Sequence, residues 1–346
     1  MTKTTRVMLA VLAACGASAA MAQSSVTLYG RVNTTVEHQK YGNASATGLV
    51  SNSSFIGFKG IEDLGGGLKA GFILESKFQS DDGTGSNGSG IDFTRQSEVN
   101  LSGNFGTLRL GNFDSAALYA ISDPVSMHNH DTGTSADALA GNYLGNANKI
   151  AYVTPNLGGL TAEVQYQFGE KKVSNGYEDK GGWDLALNYG NGPLALGLGY
   201  SQTKFEDLVG SLDLKARQLG GYAAYELGAL TLAGYYQKQK NYVGSNSASR
   251  NVYRIAAKYV VGASEFHANI GKAGKVKEFD LQSTTQWTLA YNYNLSKRTK
   301  VYALYTNINH ADSAANPANF NLTNPGVNTS SSDKFRAVGV GIRHLF

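Results

Sequence analysis

An acidic segment is the first part of this sequence whose residue types could do chemistry. Residues 114–147 contain no lysine or arginine, and the next cation along the chain is Lys149. The four acids of the segment are Asp114, Asp123, Asp131 and Asp137. Connections of this length are uncommon in compact domains and are usually functional or disordered. Acids and bases opposed across a narrow passage set up a transverse field that orients dipolar solutes and weights the passage of ions. We therefore take 114–147 as a candidate functional segment that needs cations opposite it.

The same segment also contains a weak metal-binding pattern. The run His128-Asn129-His130-Asp131 offers two imidazoles and a carboxylate. Without a third fixed ligand such a run does not define a site. We interpret these residues as ordinary loop residues, and we predict no metal and no cofactor.

The elements that must position the acidic segment are strands with a repeat of two residues. In the last thirteen residues, 334–346, small or polar positions alternate with apolar ones and the chain ends on Phe346. Segments 160–168, 183–189 and 287–295 alternate in the same way, with aromatic residues towards their ends. Such a period places one apolar and one polar face on each strand, and aromatics at strand ends are typical of the two membrane interfaces.

Composition indicates that the apolar faces meet lipid. Only 16% of the residues are charged, yet no stretch after residue 22 approaches the ~20 apolar residues that a membrane helix requires. Backbone polar groups in lipid must be satisfied internally, so the remaining way to span a membrane is a closed β-barrel. A soluble all-β sandwich is the alternative interpretation of each strand taken alone.

Sixteen strand-like segments follow residue 23, without a domain boundary. Short turns are predicted around 62–66, 103–106, 155–159, 189–193, 226–229, 261–263 and 294–298. Longer connections are predicted near 39–52, 80–91, 114–147, 170–181, 205–213, 241–249, 274–282 and 311–333. This alternation predicts an all-β protein, a sixteen-stranded antiparallel transmembrane barrel with both termini on the short-turn side.

The N-terminus is typical of an export signal. Lys3 and Arg6 precede an apolar run, and Ala20-Met21-Ala22 forms a small-residue cleavage site. We predict a signal peptide over 1–22 and a barrel over 23–346. Cys15 follows a lipoprotein-like Leu12-Ala13-Ala14, so lipidation of Cys15 is the alternative. The nearly balanced net charge does not indicate a nucleic-acid partner.

Two stretches carry a resemblance to a known family. Residues 57–75, GFKGIEDLGGGLKAGFILE, and 95–112, RQSEVNLSGNFGTLRLGN, together with 26–30 and 341–346, resemble the general porins of Gram-negative bacteria, in particular their β-proteobacterial branch. The resemblance implies a trimeric outer-membrane channel for passive diffusion of small hydrophilic solutes and ions. It also implies a third long loop, here 114–147, that folds into the lumen and narrows it.

The resemblance further implies a basic side of the constriction. Arg31 follows the first Tyr-Gly and Arg95 opens the fourth strand, where family members carry basic residues. Three other positions of family arginines are occupied by Phe55, Asn112 and Ala151. Lys59 and Lys149 are partial replacements, so we expect a less positive constriction, with a mild anion preference or none.

The acidic side is predicted to contain Glu75 and the four aspartates of 114–147. Glu75 and Lys77 alternate with Phe72, Leu74 and Phe78, which points the charged pair into the lumen. An ordinary role as lumen-facing polar residues is the alternative for every charged residue named here.

Assembly and alternative functions complete the predictions. Phe346 resembles the family's terminal signal for the outer-membrane assembly machinery, and the resemblance implies a homotrimer among outer-membrane lipid and lipopolysaccharide. A substrate-specific porin is the alternative function, although Tyr41, Tyr119 and Tyr143 form no recognisable ladder. A barrel enzyme would need a catalytic motif, and neither His310 nor His344 lies in one.

Overall fold

The computed structural model describes most of the chain after residue 24. The described residues are 25–85, 90–126, 128, 139, 144–170, 173–174, 177–207, 213–241, 247–276, 278, 280–310 and 334–346. The predicted signal peptide, Cys15, Asp131 and Asp137 lie outside them. No helix among the described residues is both long enough and apolar enough to cross a membrane.

The described residues form eighteen strand segments and two short helices. The first strands are β1 (Ser25–Tyr41), β2 (Ala44–Ser51), β3 (Phe55–Gly65), β4 (Leu68–Lys77), β5 (Gln96–Gly103), β6 (Gly106–Asn112), β7 (Lys149–Val153), β8 (Leu160–Phe168) and β9 (Val173–Ser174). The others are β10 (Tyr177–Asn191), β11 (Leu194–Asp207), β12 (Asp213–Leu227), β13 (Leu230–Lys240), β14 (Ser249–Val261), β15 (Ser264–Ala273), β16 (Thr284–Asn294), β17 (Thr299–Asn309) and β18 (Lys334–Leu345). Helices α1 (Ala116–Ile121) and α2 (Asp123–Ser126) follow β6.

These eighteen segments make sixteen wall strands. Segments β2 and β3 pair with successive halves of β1, and β8 and β9 pair with successive parts of β10, so each of these two couples is one interrupted strand. The last strand, β18, pairs with β1 from Arg31 opposite Leu345 to Tyr41 opposite Phe335. Every neighbouring pair is antiparallel and the sheet closes on itself, which confirms the predicted sixteen-stranded barrel.

The predicted short turns all fall between paired strands, but the first predicted long connection is wrong. Over 39–52 the strands continue instead, because Tyr41 lies opposite Ala44 and only Gly42 and Asn43 connect β1 to β2. Gly42 has a φ of 59°, a conformation that glycine adopts at little cost and that tight hairpins require. The polar residues of 39–52 show no apolar alternation, so the strand pair β1–β2 was not recognised from the sequence.

The two faces of the wall differ as the two-residue period requires. On β18, Val338, Val340 and Ile342 are each at least half exposed on the outer face. On β1, the alternate residues Asn33 and Thr35 are fully buried on the inner face. An exposed apolar row is unfavourable in water but not in lipid, and such alternation of apolar-out and polar-in residues is the pattern of a transmembrane barrel.

Part of the acidic segment lies against the inner wall. Buried residues of α1 and α2 pack with inward-facing residues of β10, β13 and β14, among them Ala186, Ala233 and Ala256. Gly199 of β11 has no side chain at the point where α1 approaches the wall. A Cβ atom there would lie 3.0 Å from the Ala117 Cα atom and 2.9 Å from the Ile121 side chain. Small wall residues thus make room for α1, because close packing leaves no space for larger ones.

Candidate pore constriction

Four inward-facing residues of the first strands form a cluster around one ring, which we call the Phe55 cluster: Phe55, Arg31, Arg95 and Glu75. Arg31 lies directly opposite Phe55 in the β1–β3 register, so both side chains share one face. The guanidinium carbons of Arg31 and Arg95 lie 5.5 Å and 4.7 Å from the ring centroid. Both distances are within the range of cation–π attraction.

Glu75 ties this cluster to the neighbouring strands. Arg95 donates from Nε to one Glu75 carboxylate oxygen over 2.8 Å, and the Tyr29 hydroxyl donates to the other over 2.7 Å. Hydrogen bonds to an ionised group are shorter and stronger than neutral ones. The carboxylate is therefore held in place while it partly compensates the charge of Arg95.

Arg31 is oriented by backbone rather than by that carboxylate. Its Nε and Nη2 atoms donate to the Ser53 carbonyl oxygen over 3.0 Å and 2.8 Å. Ser53 lies in the interruption between β2 and β3 and has a φ of 55°, in the left-handed region. These two hydrogen bonds orient the guanidinium group. Arg31 is only 5% exposed.

Lys59 extends the basic side towards the short-turn end of the barrel. Its Nζ atom lies 4.9 Å from the centroid of the Tyr29 ring. The Tyr29 ring in turn meets Phe55 edge to face at 6.0 Å. Lys59 is exposed, so its charge is open to water in the lumen.

A second group, which we call the Phe113 cluster, repeats the arrangement on β5 to β8: Phe113, Arg109, Lys149, Glu98 and Glu163. Arg109 lies 4.1 Å and Lys149 lies 5.0 Å from the centroid of the fully buried Phe113 ring. Arg109 also forms two ion pairs of 2.7 Å, one with Glu98 and one with Glu163. Lys149, only 3% exposed, donates to the Gln165 amide oxygen over 2.9 Å.

The start of the acidic segment is anchored beside the Phe113 cluster. The Asp114 carboxylate accepts from the Tyr119 hydroxyl over 2.6 Å and from the Asn146 amide over 2.7 Å, so it joins the two ends of the segment. The backbone carbonyl of Asp114 accepts from Gln165 over 3.1 Å.

Helix α1 is fixed to the wall by its N-terminal end. Ser115 caps the helix, and its hydroxyl also donates to the buried Asp184 carboxylate of β10. The Ala117 backbone N–H approaches the same carboxylate oxygen at 3.5 Å. Serine is a preferred N-cap residue because its oxygen accepts from an otherwise unpaired backbone N–H. Asp184 thus positions the beginning of the segment.

The structure brings some predicted site residues together and separates others. Arg31, Arg95 and Glu75 meet in one cluster, and Lys149 and Asp114 both bond to Gln165. Asp123 lies in the first turn of α2, a helix that follows α1 along the inner wall. Asp131 and Asp137 lie outside the described residues.

Sequence reasoning missed Arg109, Glu98, Glu163 and Phe113. The alternation of Thr107, Arg109 and Gly111 was sufficient to place Arg109 on the inner face. In the register, Arg109 lies opposite Ala151, one of the positions where the resemblance led us to expect an arginine. A cation is therefore present beside that position, on the neighbouring strand.

His128 does not lie in open solvent as a loop residue would. It is fully buried, with its ring 5.5 Å from the His267 ring and 5.7 Å from the Tyr302 ring. Among the residues that the structure describes, no three His, Cys, Asp or Glu side chains converge as metal ligands.

The C-terminal residue closes the barrel. Backbone hydrogen bonds of 3.2 Å run in both directions between Gly30 and Phe346. A Cβ atom at residue 30 would lie 2.5 Å from the Phe346 ring, so glycine is required there for the ring to approach the wall.

Comparisons with known proteins agree with this geometry. The family model described as Gram-negative porin matches residues 9–313. The outer membrane porin protein 32 of Delftia acidovorans is 35% identical over 377 residues, covering 99% of this chain and 100% of that protein. A major outer membrane protein of Neisseria meningitidis serogroup A is 29% identical over 355 residues and covers 94% and 95%. The solved anion-selective porin from Comamonas acidovorans has 31% identity and a TM-score of 0.75, covering 94% of this chain and 100% of its own.

Proposed function

The chain belongs to the Gram-negative porin family, and on that premise we propose that the Phe55 cluster and the acidic segment are the two sides of its channel constriction. The protein is an outer-membrane porin that forms a water-filled channel for passive diffusion of small hydrophilic solutes and ions. The finer proposal concerns which residues weight that diffusion.

The observation that carries the proposal is the basic side at Phe55. Two guanidinium groups, those of Arg31 and Arg95, lie on one ring. Exposed Lys59 adds a third cation on the same face. In a narrow channel the effective dielectric is lower than in bulk water, so such charges act strongly on passing ions. We assign the channel a mild anion preference, in the direction of the Comamonas acidovorans porin.

The opposite side is formed by residues 114–147. Support comes from the described part of the segment, whose helices pack against inward-facing residues of the wall and whose first turn is anchored to Asp184. On this proposal the whole segment stays in the lumen and its acids, Asp131 and Asp137 included, face the basic side. The opposed charges orient dipolar solutes as they pass.

Substitution of the two arginines tests this assignment. Arg31→Ala and Arg95→Ala should each shift the reversal potential in a salt gradient towards cations and raise single-channel conductance slightly, because charge and bulk are removed together. Unchanged reversal potentials in both variants would make these residues ordinary lumen charges and place the constriction elsewhere.

A substrate-specific porin is tested by the same recordings. Of the tyrosines considered for an aromatic slide, Tyr41 packs with Phe335 near the long-loop end and Tyr119 of α1 bonds to Asp114, whereas Tyr143 lies outside the described residues. A general channel should show currents proportional to salt concentration, and saturation by one solute would favour the specific alternative. The relatives are porins, which are channels, and we propose no enzymatic reaction for this chain.

Export and assembly remain proposals drawn from the sequence. Residues 1–22 are removed, so the outer-membrane protein should begin at Gln23, whereas a lipidated Cys15 at its start would contradict this. Phe346 serves the assembly machinery, and its deletion should sharply lower heat-modifiable barrel in the outer membrane, where lipid and lipopolysaccharide surround it. The mature protein is a homotrimer, which its mass in mild detergent tests.

A further inference from the structure

The two clusters share a feature that their charges alone do not explain. In each, one phenylalanine ring lies within 6 Å of two like-charged side chains that come from different segments of the wall. The Phe55 ring centroid lies 5.5 Å from the guanidinium carbon of Arg31 in β1 and 4.7 Å from that of Arg95, which precedes β5. The Phe113 ring centroid lies 4.1 Å from the guanidinium carbon of Arg109 in β6 and 5.0 Å from the Nζ atom of Lys149 in β7.

Like charges so close together repel each other. The carboxylates of each cluster offset this repulsion in part, and the ring is a further contact that both cations share. Their mutual repulsion favours conformations in which one side chain swings into the lumen water or towards a distant carboxylate. The face of an aromatic ring carries the negative part of its quadrupole and attracts a cation. One ring can therefore attract two cations at once and lower the cost of holding them side by side.

Each ring is held by contacts of its own. Phe55 lies opposite Arg31 in the β1–β3 ladder and also meets the Tyr29 ring. Phe113 is fully buried, and its backbone N–H donates to the Asn146 carbonyl over 3.0 Å. Each ring therefore has a defined position against which both of its cations lie.

We propose that Phe55 and Phe113 are positioning residues that hold pairs of like-charged side chains at the channel wall, and that Phe55 in this way sets the ion preference without carrying charge. The proposal rests on the assignment of these clusters to the constriction. On this proposal Phe55, which occupies the position of a family arginine, contributes to the ion preference through its ring.

The test compares Phe55→Leu and Phe55→Tyr with the parent channel. Leucine keeps an apolar side chain but has no π face, so the two guanidinium groups should spread and the reversal potential should shift towards cations by half or more of the Arg95→Ala shift. Tyrosine keeps the ring face and should leave the potential at the parent value. Phe266→Leu, a change on the outer face of β15, controls for loss of a phenylalanine from the barrel.

The combinations separate this proposal from the one on which it rests. In the Arg95→Ala background, Phe55→Leu should add less than it does alone, because one of the two cations is already absent. If Arg95→Ala shifts the potential and Phe55→Leu does not, the ring has no positioning role and the constriction stands. If neither shifts it, both proposals are wrong.

Folding is controlled separately. Heat-modifiable mobility of each variant reports a closed barrel, and Phe55→Met, which is unbranched and of similar length, replaces Phe55→Leu if leucine prevents folding. Methionine has no ring, so it should reproduce the shift towards cations, and a parent-like potential in that variant would overturn the proposal.

Discussion

The Phe55 cluster and the Phe113 cluster use the same local arrangement but differ in the ion pairs seen among the described residues. Arg109 lies between Glu98 and Glu163, both at 2.7 Å. In the Phe55 cluster, Arg95 pairs with Glu75 at 2.8 Å, whereas Arg31 is oriented by the Ser53 carbonyl. The count of basic residues along a channel wall is therefore a poor guide to its field, because the neighbouring carboxylates decide what each cation contributes.

The difference also assigns distinct roles to the clusters. The Phe113 cluster, beside the anchored start of the acidic segment, combines partly buried ion pairs with buried Lys149, and we propose that it mainly organises the wall. The Phe55 cluster has exposed Lys59 beside it, and we propose that it acts on ions in the lumen. The following predictions test this division, from the largest expected effect to the smallest.

The largest shift in ion preference is expected when the acid of the Phe55 cluster is neutralised. Glu75→Gln removes the carboxylate that pairs with Arg95 and leaves both guanidinium groups on Phe55. The reversal potential in a salt gradient should move strongly towards anions. Glu98→Gln together with Glu163→Gln removes two charges, yet it should give a smaller shift, because the Phe113 cluster mainly organises the wall. A larger shift from the double variant than from Glu75→Gln would contradict the assigned roles.

Removal of Arg109 should affect stability more than removal of Arg95. Arg109→Gln leaves Glu98 and Glu163 close together without their shared cation, at a cost of about 1–3 kcal/mol in the free energy of unfolding, below the value for a fully buried pair because the side chains are partly exposed. Arg95→Gln leaves only Glu75, which Tyr29 still binds, and should cost about 1 kcal/mol or less. Urea unfolding of the barrel in detergent measures both, and the reverse order would contradict the assigned roles.

The smallest effect is expected from acid pH, which acts on the segment rather than on the wall clusters. Burial, with the neighbouring His267 and Lys300, lowers the pKa of His128 to about 3, from 6.5 for a free imidazole. The groups that face His128 are His267 and Glu265 of β15, Lys300 and Tyr302 of β17, and Arg343 of β18. Above pH 6.5 the imidazole is neutral whether or not the segment is packed on the inner wall. Burial of neutral His128 therefore adds no pH-dependent free-energy cost to docking in that range.

Below pH 6.5 His128 takes up a proton only when the segment is released from the inner wall. The equilibrium constant for docking of the segment on the wall therefore falls by at most roughly tenfold per pH unit, until about pH 3. Current fluctuations in single-channel records should increase over this window. His128→Gln provides the control, because carboxylates elsewhere in the channel also titrate below pH 5. If the glutamine variant shows the same increase as the parent, His128 does not control docking.

The sequence was sufficient for the barrel and for part of the site. Glycine-containing turns between alternating segments predicted the wall strands. The two-residue period predicted the inward position of Glu75, whereas Arg31 and Arg95 were expected from the family resemblance. Helix α1 was not predicted, because six residues are too few for a clear helical period and the helix depends on Ser115, Asp184 and Gly199 for its position.

The clusters themselves could not be predicted, since they depend on register between strands. Arg109 meets Glu98 and Glu163 only because β5, β6, β7 and β8 are aligned as they are. Phe55 was interpreted as the loss of an arginine, whereas its ring contacts two of them. Side-chain stacking across strands leaves no pattern in a single sequence.

The account's central claim, that charge at the Phe55 cluster sets the ion preference, is tested most directly by changing that charge inside the assembled channel. The one cysteine of the chain, Cys15, lies in the predicted signal peptide, so Arg95→Cys gives a channel with a single thiol. A cationic methanethiosulfonate should return the reversal potential towards the parent value, and an anionic one should drive it further towards cations. Equal potentials after both reactions, with modification verified by mass, would contradict the claim.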